Sequence, residues 1–232
     1  MTIVGLIPAR GGSKGIPGKN IAPCAGRPLL AYTADAALQA KSLSRSILST
    51  DDEAIARVGR ELGLEVPFMR PAELGSDTAS SLSVIAHALD WLELRGTEVE
   101  AIVLLQPTSP FRTAAQIDEA VALFRETGAD TVVSVVEVPH RFHPSALMDV
   151  KNGFLHPWQS GGEMVLRRQE MPALYARNGP AILILRPSQV RAGALYGQRT
   201  VAYIMAAKDS LDIDEPNDLE FAEFLLSKRG AS

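Results

Sequence analysis

Residues 2–20 read TIVGLIPARGGSKGIPGKN, an apolar run that leads directly into a glycine-rich loop. Residues 2–7 predict a buried β-strand, because continuous runs of Val, Ile and Leu are typical of strands covered on both faces. Residues 10–20 contain four glycines and three cations. Glycine lets backbone N–H groups approach a phosphate closely, and Arg and Lys supply charge that offsets it. The stretch therefore predicts a phosphate-binding loop after the first strand of a sheet.

Two common phosphate-binding patterns do not fit this loop. A Walker A loop needs glycine five residues before the glycine of Gly-Lys-Ser/Thr, but Ser13 occupies that position and Asn20 follows Lys19. No Gly-x-Gly-x-x-Gly frame of the dinucleotide-binding type fits either. A merely flexible surface loop is the remaining alternative, although such loops rarely collect three cations among glycines directly after a strand.

Short apolar runs alternate with segments of helical spacing along the rest of the chain. This alternation predicts an α/β fold with a mostly parallel sheet flanked by helices. The predicted strands are residues 2–7, 46–49, 65–68, 101–106, 131–136, 181–185 and 200–204, and the predicted helices are 28–40, 52–62, 80–94, 114–127 and 217–228. The alternation stops at about residues 139–180, which we interpret as an insertion in a single domain spanning residues 1–232.

Composition narrows the possible partners. The 232 residues contain 23 Lys+Arg and 27 Asp+Glu, a formal charge of −4 at pH 7, which argues against binding nucleic acid or anionic membranes through bulk charge. A local basic site remains possible. The single cysteine, Cys24, excludes an intramolecular disulfide and fits a reducing compartment. No signal peptide is visible and no run approaches the ~18 apolar residues of a membrane span, so we expect a cytoplasmic protein.

Residues 7–15, IPARGGSKG, followed by Lys19 and Asn20, resemble the opening motif of the acylneuraminate cytidylyltransferase family, whose members activate sialic acids. Further stretches resemble the family in the expected order, from Ile3 to about Phe224. They are STDD (49–52), FMRPAELGSDTASS (68–81), LLQPTSPFR (104–112), where Phe111 replaces the commoner Leu, and KDSLDIDEPND (208–218). The resemblance implies a nucleotide-diphospho-sugar transferase-like fold. It also implies an enzyme that couples CTP to a nine-carbon 2-keto sugar acid and releases pyrophosphate.

The resemblance implies a nucleotide site built around the glycine-rich loop. Arg70 is positioned in sequence to neutralise phosphate charge, whereas Ser80 and Ser81 either address the base or ribose or cap the helix of residues 80–94. Asp51 or Asp52 either contributes to the site or caps the helix of residues 52–62. The implied nucleotide-binding residues are Ala9, Arg10, Gly11, Gly12, Ser13, Lys19, Asn20, Arg70, Ser80 and Ser81.

The implied sugar-acid site begins with Gln106 and Thr108, at the carboxyl end of a predicted strand, where ligands bind in open α/β sheets. A stiff, purely structural turn is the alternative for this proline-rich segment. By resemblance, the insertion forms a homodimer interface and contributes Arg168, Gln169 and Tyr175 to the neighbouring subunit's sugar pocket, although a plain dimer contact is equally open. After His143-Pro144 the lysine of many sialic-acid enzymes is absent, which favours a bacterial-type acid such as legionaminate or pseudaminate over N-acetylneuraminate.

Asp212 and Asp214 lie in the segment that resembles the family's Asp-Ile-Asp signature. On an extended segment, alternate residues face the same way, so both carboxylates can share one hard cation, and Mg²⁺ binds one or two carboxylates plus substrate phosphates. Solvated acids are the alternative, and the pattern does not fix whether one ion or two bind. Arg10, Lys19 and Asp214 are the predicted catalytic residues, with no general base assigned, since either aspartate can accept the proton.

Three other functions compete with this prediction. Two are enzymes, a cytidylyltransferase for the eight-carbon acid Kdo and a nucleotidyltransferase for another sugar. The third is a catalytically silent nucleotide-binding regulator on the same fold, which would have no need of the Asp212 and Asp214 pair. Pyrophosphate release that depends on an added sugar acid separates an enzyme from a binder.

Overall fold

The predicted alternation of strands and helices is present in a computed structural model, which describes residues 2–158 and 172–229. Within these ranges the main sheet has seven strands, in the order β11-β6-β10-β5-β1-β4, with β9 paired to β6. The strands are β1 Thr2–Pro8, β4 Arg45–Ser49, β5 Val99–Leu104, β6 Thr131–Glu137, β9 Tyr175–Arg177, β10 Leu183–Leu185 and β11 Thr200–Met205. Two small hairpins lie apart from it, β2 Pro23–Cys24 with β3 Arg27–Pro28, and β7 Met148–Lys151 with β8 Phe154–Pro157.

The sheet is mostly parallel, as predicted. β1 pairs in parallel with β4 and β5, and β6 pairs in parallel with β11. β10 lies antiparallel between β5 and β6, and β9 is antiparallel to β6. The carboxyl ends of β1, β4, β5, β6 and β11 therefore lie along one edge of the sheet.

Helices cover both faces of the sheet, which is why its central strands are continuously apolar. Ile3 and Ile7 of β1 join a core cluster with α1 and α4, whereas Val4 and Leu6 join a cluster on the opposite face with α3. The helices are α1 Leu29–Gln39, α2 Glu53–Glu61, α3 Ser81–Glu93, α4 Ala114–Thr127, α5 Pro187–Arg191 and α6 Pro216–Arg229. None of the helices in the described ranges combines the length and apolar character that a membrane span needs.

A third cluster lies at the carboxyl edge of the sheet and joins segments that are far apart in sequence. Ile16 of the glycine-rich loop, Phe111 after β5, Ile213 between the two aspartates and Ala222 of α6 are all buried in it. This cluster brings the segments that carry the predicted site residues to one place.

The prediction of a strand at residues 65–68 is wrong. Only an isolated bridge joins Glu65 to Ile47, and two backbone bonds with Ser46 and Leu48 complete the contact. Pro67 has no N–H to continue a ladder, so the pairing ends after one residue.

The predicted insertion at 139–180 contains elements that the sequence did not reveal. Its described residues form the hairpin of β7 and β8, and Tyr175–Arg177 join the main sheet as β9. The strand predicted at 181–185 is shorter than expected, because side chains take over its ladder. Ala181 N–H donates to Asn178 Oδ1 and Ile182 N–H donates to Ser134 Oγ.

Candidate active site

A cavity of about 440 Å³ opens at the carboxyl edge of the parallel strands. Pro8 ends β1 and Gln106 follows β5, so the cavity lies where open α/β sheets bind ligands. The lining residues are Pro8, Arg10, Ser13, Lys14, Gly15, Lys19, Asn20, Arg70, Leu74, Ser76, Asp77, Ala79, Ser81, Val84, Gln106, Pro107, Thr108 and Asp214.

Most of the predicted site residues meet at this cavity. Nine of them line it, namely Arg10, Ser13, Lys19, Asn20, Arg70, Ser81, Gln106, Thr108 and Asp214. Ala9 is buried in the core, Gly11 packs against Asp52, and Ser80 accepts from Ser83 N–H as the N-cap of α3. Gly12 and Asp212 also lie outside the lining set.

The insertion residues stand apart from this cavity. Tyr175 lies on β9 opposite Glu137, is 46% exposed and does not line the cavity. Arg168 and Gln169 lie outside the described residues. Their predicted contribution to a neighbouring subunit's sugar pocket stays a prediction.

The glycine-rich loop is fixed by contacts at both ends. Asn20 Nδ2 donates to the backbone oxygen of Arg10 at 2.9 Å, which closes the loop on itself. Lys19 Nζ donates to the backbone oxygen of Ile213 at 2.7 Å and lies 3.6 Å from Asp214 Oδ1. Gly15 lies so close to the backbone of Asp214 that an added Cβ would sit 2.6 Å from its carbonyl oxygen. The loop and the Asp-Ile-Asp segment are therefore in direct contact.

The two adjacent aspartates after β4 have separate tasks. Asp52 caps α2 by accepting from Ala54 and Ile55 N–H, as the capping interpretation predicted. Asp51 Oδ1 accepts from Gly11 N–H at 3.3 Å and from Arg70 Nη2 at 2.9 Å. Arg70 is thus held in a buried ion pair with Asp51, a partner that the sequence did not suggest because the two residues are far apart in the chain.

A second carboxylate that the sequence analysis missed lies at the mouth of the cavity. Asp77 bridges two cations of the glycine-rich loop, with Oδ1 at 2.7 Å from Arg10 Nη1 and Oδ2 at 2.6 Å from Lys14 Nζ. Hydrogen bonds from Lys14 and Arg10 lower the pKa of Asp77. In the stretch FMRPAELGSDTASS the sequence points to Arg70 and the serines as nucleotide-binding residues. Only the fold shows that Asp77 of this stretch faces the glycine-rich loop.

Asp212 and Asp214 differ in environment although they are two residues apart. Asp214 is largely exposed, with 76% of its side-chain surface accessible, whereas Asp212 Oδ1 is buried and has no hydrogen-bond partner within the described part of the chain. Burial raises the pKa of Asp212, a hydrogen bond with Thr108 opposes this, and the nearby charge of Asp214 raises it further. The buried Ile213 fixes this arrangement, since its N–H donates to the backbone oxygen of Thr108 at 2.9 Å.

The chemistry of this cavity is that of an anion site. Four cationic side chains among the described residues line it, from Arg10, Lys14, Lys19 and Arg70. The backbone of the glycine-rich loop adds N–H groups, and Asp214 adds an accessible carboxylate. Such a set suits a phosphorylated substrate and phosphoryl-type transfer, which depend on positioning and charge neutralisation.

Comparisons with known proteins agree with this chemistry. A family model described as Cytidylyltransferase matches residues 4–231. The N-acylneuraminate cytidylyltransferase of Escherichia coli O18:K1:H7 is 34% identical over 227 residues, which cover 98% of this chain and 52% of the relative. The chain thus spans about half the length of that curated relative. The CMP-N,N'-diacetyllegionaminic acid synthase of Legionella pneumophila subsp. pneumophila is 32% identical over 227 residues, 97% of each chain.

Among solved structures, CMP:2-keto-3-deoxy-manno-octonic acid synthetase complexed with CTP aligns with a TM-score of 0.72. The alignment covers 99% of this chain and 100% of that one, at 16% sequence identity. At this identity the likeness supports the fold and nothing finer.

Gly15→Ala should lower the melting temperature. The added Cβ would meet a backbone oxygen, which cannot move aside without separating the glycine-rich loop from the Asp-Ile-Asp segment. Overpacking of this kind costs about 1–3 kcal/mol, and each kcal/mol corresponds to about 2–4 °C in a chain of this size. Gly12→Ala is the matched control, because a Cβ at Gly12 meets nothing within 4 Å. Equal melting temperatures for the two variants would contradict the close contact.

Proposed function

The chain belongs to the cytidylyltransferase family, and on that premise we propose that it couples CTP to a nine-carbon 2-keto sugar acid of the sialic acid type. The observation that carries the proposal is the meeting of four cations, the glycine-rich loop and the Asp-Ile-Asp segment around one cavity. The two relatives above are named for N-acylneuraminate and diacetyllegionaminic acid, which are nine-carbon acids of this type. The products are the CMP-sugar and pyrophosphate.

The proposed reaction is a substitution at the α-phosphorus of CTP. The anomeric hydroxyl oxygen forms the new P–O bond, the bond to the bridging oxygen of the β-phosphate breaks, and the hydroxyl proton passes to the carboxylate of Asp212 or Asp214. Pyrophosphate departs with the electron pair of the broken bond. Arg10, Lys14 and Lys19 meet phosphate charge along the loop, while Asn20 keeps the loop closed on the backbone of Arg10. The buried Arg70 is paired with Asp51, which also accepts from the N–H of Gly11, so this pair holds the glycine-rich loop in place.

We propose Mg²⁺ as the cofactor, held by Asp212 and Asp214. The buried Asp212 Oδ1 without a partner fits a cation ligand, because an unpaired buried carboxylate oxygen is costly. No group of three or more His, Cys, Asp or Glu residues that could hold a metal exists within the described ranges. Two carboxylates completed by substrate phosphates and water are the ligand set that Mg²⁺ accepts. When bound, the ion supplies charge neutralisation and lowers the pKa of a coordinated hydroxyl.

The hairpin of β7 and β8 has an exposed apolar surface that supports a homodimer. Val150 and Leu155, a directly opposed pair on the hairpin of β7 and β8, are 65% and 66% exposed on one face of it, and Phe154 is 71% exposed on the other face. Adjacent exposed apolar side chains of this kind mark protein contacts. We propose that this hairpin meets a second copy of the chain.

The buried free Cys24 and the net charge of −4 support a cytoplasmic enzyme without nucleic-acid or membrane partners.

The direct test of the proposed activity is pyrophosphate release from CTP in the presence of Mg²⁺ and one of four acids, N-acetylneuraminate, legionaminate, pseudaminate and Kdo. We expect release only with an added acid, and fastest with a nine-carbon one. Preference for Kdo would support the eight-carbon alternative. CTP binding without release with any acid would support the non-catalytic regulator.

Asp214→Asn should lower turnover by about 10²-fold or more, because it removes a carboxylate proposed to hold the metal. The fold should be intact, since the Asp214 side chain is largely exposed. Steady-state pyrophosphate release and circular dichroism measure the two effects. Asp35→Asn is the control, since Asp35 pairs with Arg27 at 2.8 Å away from the cavity lining. Near-normal Mg²⁺-dependent turnover by Asp214→Asn would show the assignment to be wrong.

Asp212→Asn should raise the melting temperature at pH 7 in the absence of Mg²⁺. Burial raises the pKa of Asp212, so the folded protein holds that proton to higher pH than the unfolded chain does. The cost of the ionised carboxylate therefore develops as pH rises above the unfolded value of about 3.9 and is complete above the folded pKa. Relieving it should add about 2–4 °C, the effect of about 1 kcal/mol.

The same variant tests the metal site. Added Mg²⁺ should raise the melting temperature of the wild type by mass action and leave Asp212→Asn almost unchanged. The difference between the two proteins without Mg²⁺ should shrink as the pH falls through the unfolded pKa of about 3.9, because the carboxylate is then increasingly protonated in the unfolded chain as well as in the folded one. An equal response of both proteins to Mg²⁺ would exclude Asp212 as a ligand.

Val150→Asp combined with Leu155→Asp should convert a dimer to a monomer, because two buried charges would face each other across the contact. Light scattering after size exclusion measures the mass. The matched control is Leu94→Asp, at the C-cap of α3, where the leucine is 83% exposed. A dimeric mass for the double variant would place the interface elsewhere, and a monomeric wild type would overturn the proposal.

A further inference from the structure

Arg112 is a buried arginine that the cavity itself does not display. It follows the Gln-Pro-Thr-Ser-Pro turn, is 3% exposed and is not among the lining residues. None of the ion pairs among the described residues involves it, and burial lowers the pKa of its guanidinium. A buried cation is costly unless it is well hydrogen-bonded, so the bonds that it makes need an explanation.

Its hydrogen bonds join two strand ends. Arg112 Nη1 donates to the backbone oxygen of Ala181 at 2.7 Å and to that of Gln106 at 3.2 Å. β5 and β10 are antiparallel with Leu183 opposite Leu104, so continuing the register two residues places Ala181 opposite Gln106. The guanidinium therefore joins the segment after β5 to the segment before β10, just beyond the last backbone pair of these two strands.

The bridge is anchored from the helix layer and extends to the cavity. Arg112 Nη2 donates to Thr33 Oγ1 of α1 at 2.7 Å. On the other side, Gln106 Nε2 donates to the backbone oxygen of Gly179 at 3.0 Å. Gly179 packs against the Asp212 carboxylate, since a Cβ there would lie 3.2 Å from Asp212 Oδ2. Arg112 thus holds the backbone that carries Gln106, which lines the cavity, and the segment that covers Asp212.

We propose that Arg112 is a positioning residue for the sugar-acid side of the active site. It acts through Gln106 and the Gly179 to Ala181 segment, and it contacts neither substrate. Arginine suits the task because its planar guanidinium places donors in fixed directions toward three separate oxygens. Lysine keeps the charge but offers one ammonium on a shorter stem, so it cannot reach all three together. This inference rests on the proposed cytidylyltransferase activity.

The test compares Arg112→Lys, Arg112→Met and Thr33→Val. Arg112→Lys should raise KM for the preferred sugar acid about tenfold and lower kcat by up to about 10²-fold, since small displacements of aligned groups are costly. The dissociation constant for CTP without Mg²⁺, measured by calorimetry, should stay within about twofold, because Arg112 makes no bond to the glycine-rich loop. Arg112→Met should be worse than Arg112→Lys, and Thr33→Val should be milder in the same direction.

Arg186→Lys is the matched control. Arg186 Nε also donates to a backbone oxygen, that of Ala129, at 2.9 Å, and its guanidinium lies over the Phe124 ring, but it does not line the cavity. The control should change the melting temperature without changing KM for the sugar acid. If Arg112→Lys behaves like Arg186→Lys, or shifts CTP binding and sugar KM equally, Arg112 is merely structural and the inference is wrong.

A readout without substrate separates this inference from the proposed activity. The side-chain amide signal of Gln106 is identified as the one that is lost from the ¹H–¹⁵N spectrum of Gln106→Glu. Hydrogen exchange of this amide then reports its hydrogen bond to the backbone oxygen of Gly179. Exchange should speed up in Arg112→Lys and stay unchanged in Arg186→Lys. Unchanged exchange in Arg112→Lys overturns the positioning role, whether or not the wild type is an enzyme. A wild type that turns over no acid, yet shows faster exchange in Arg112→Lys, refutes the activity alone.

Discussion

Burial of Ile213 is the constraint on which the site depends. Its side chain is fully buried in a cluster with Ile16 and Phe111, so the glycine-rich loop, the turn after β5 and the Asp-Ile-Asp segment must meet. Its backbone completes the junction, since its N–H donates to Thr108 and its carbonyl oxygen accepts from Lys19 Nζ. An apolar side chain between two carboxylates thus fixes both of them. Asp212 is pulled toward the interior and Asp214 is left at the cavity wall.

Some parts of the site could be predicted from the sequence because their positions follow from strand order or from neighbouring residues. The loop, the turn and the aspartates each follow a strand or precede a helix, and the carboxyl ends of parallel strands share one edge, so their convergence follows from the alternation alone. Local chemistry predicted a cap at Asp51 or Asp52, because capping involves only neighbouring residues, and Asp52 is the one that caps α2. Features that depend on local pattern or on strand order were therefore within reach.

Features that depend on tertiary contact could not be predicted from the sequence. Asp51 and Asp52 are adjacent and chemically identical, and only the approach of Gly11 and Arg70 gives Asp51 a different task. β9 was missed because three exposed residues carry no periodic signal, and its pairing with β6 decides its conformation. The strand expected at 65–68 failed for the opposite reason. Its apolar pattern was adequate, but a proline beside an edge strand removed the donor that a ladder needs.

The cations of the cavity fall into two kinds, and the difference bears on how a triphosphate would bind. Arg70 is almost fully buried with Asp51, an ion pair that is expensive to break, so it serves to hold the loop in shape. The pair of Arg10 with Asp77 is 35% and 42% exposed, and the Lys14 side chain is more exposed still. Exposed pairs are worth little, so phosphate oxygens can replace the Asp77 carboxylate at small cost. In the proposed reaction, binding of CTP would exchange one anion for another instead of filling a vacant positive site. The affinity for the triphosphate should then be lower than the number of cations suggests, and the return of Asp77 to Arg10 and Lys14 should favour departure of pyrophosphate.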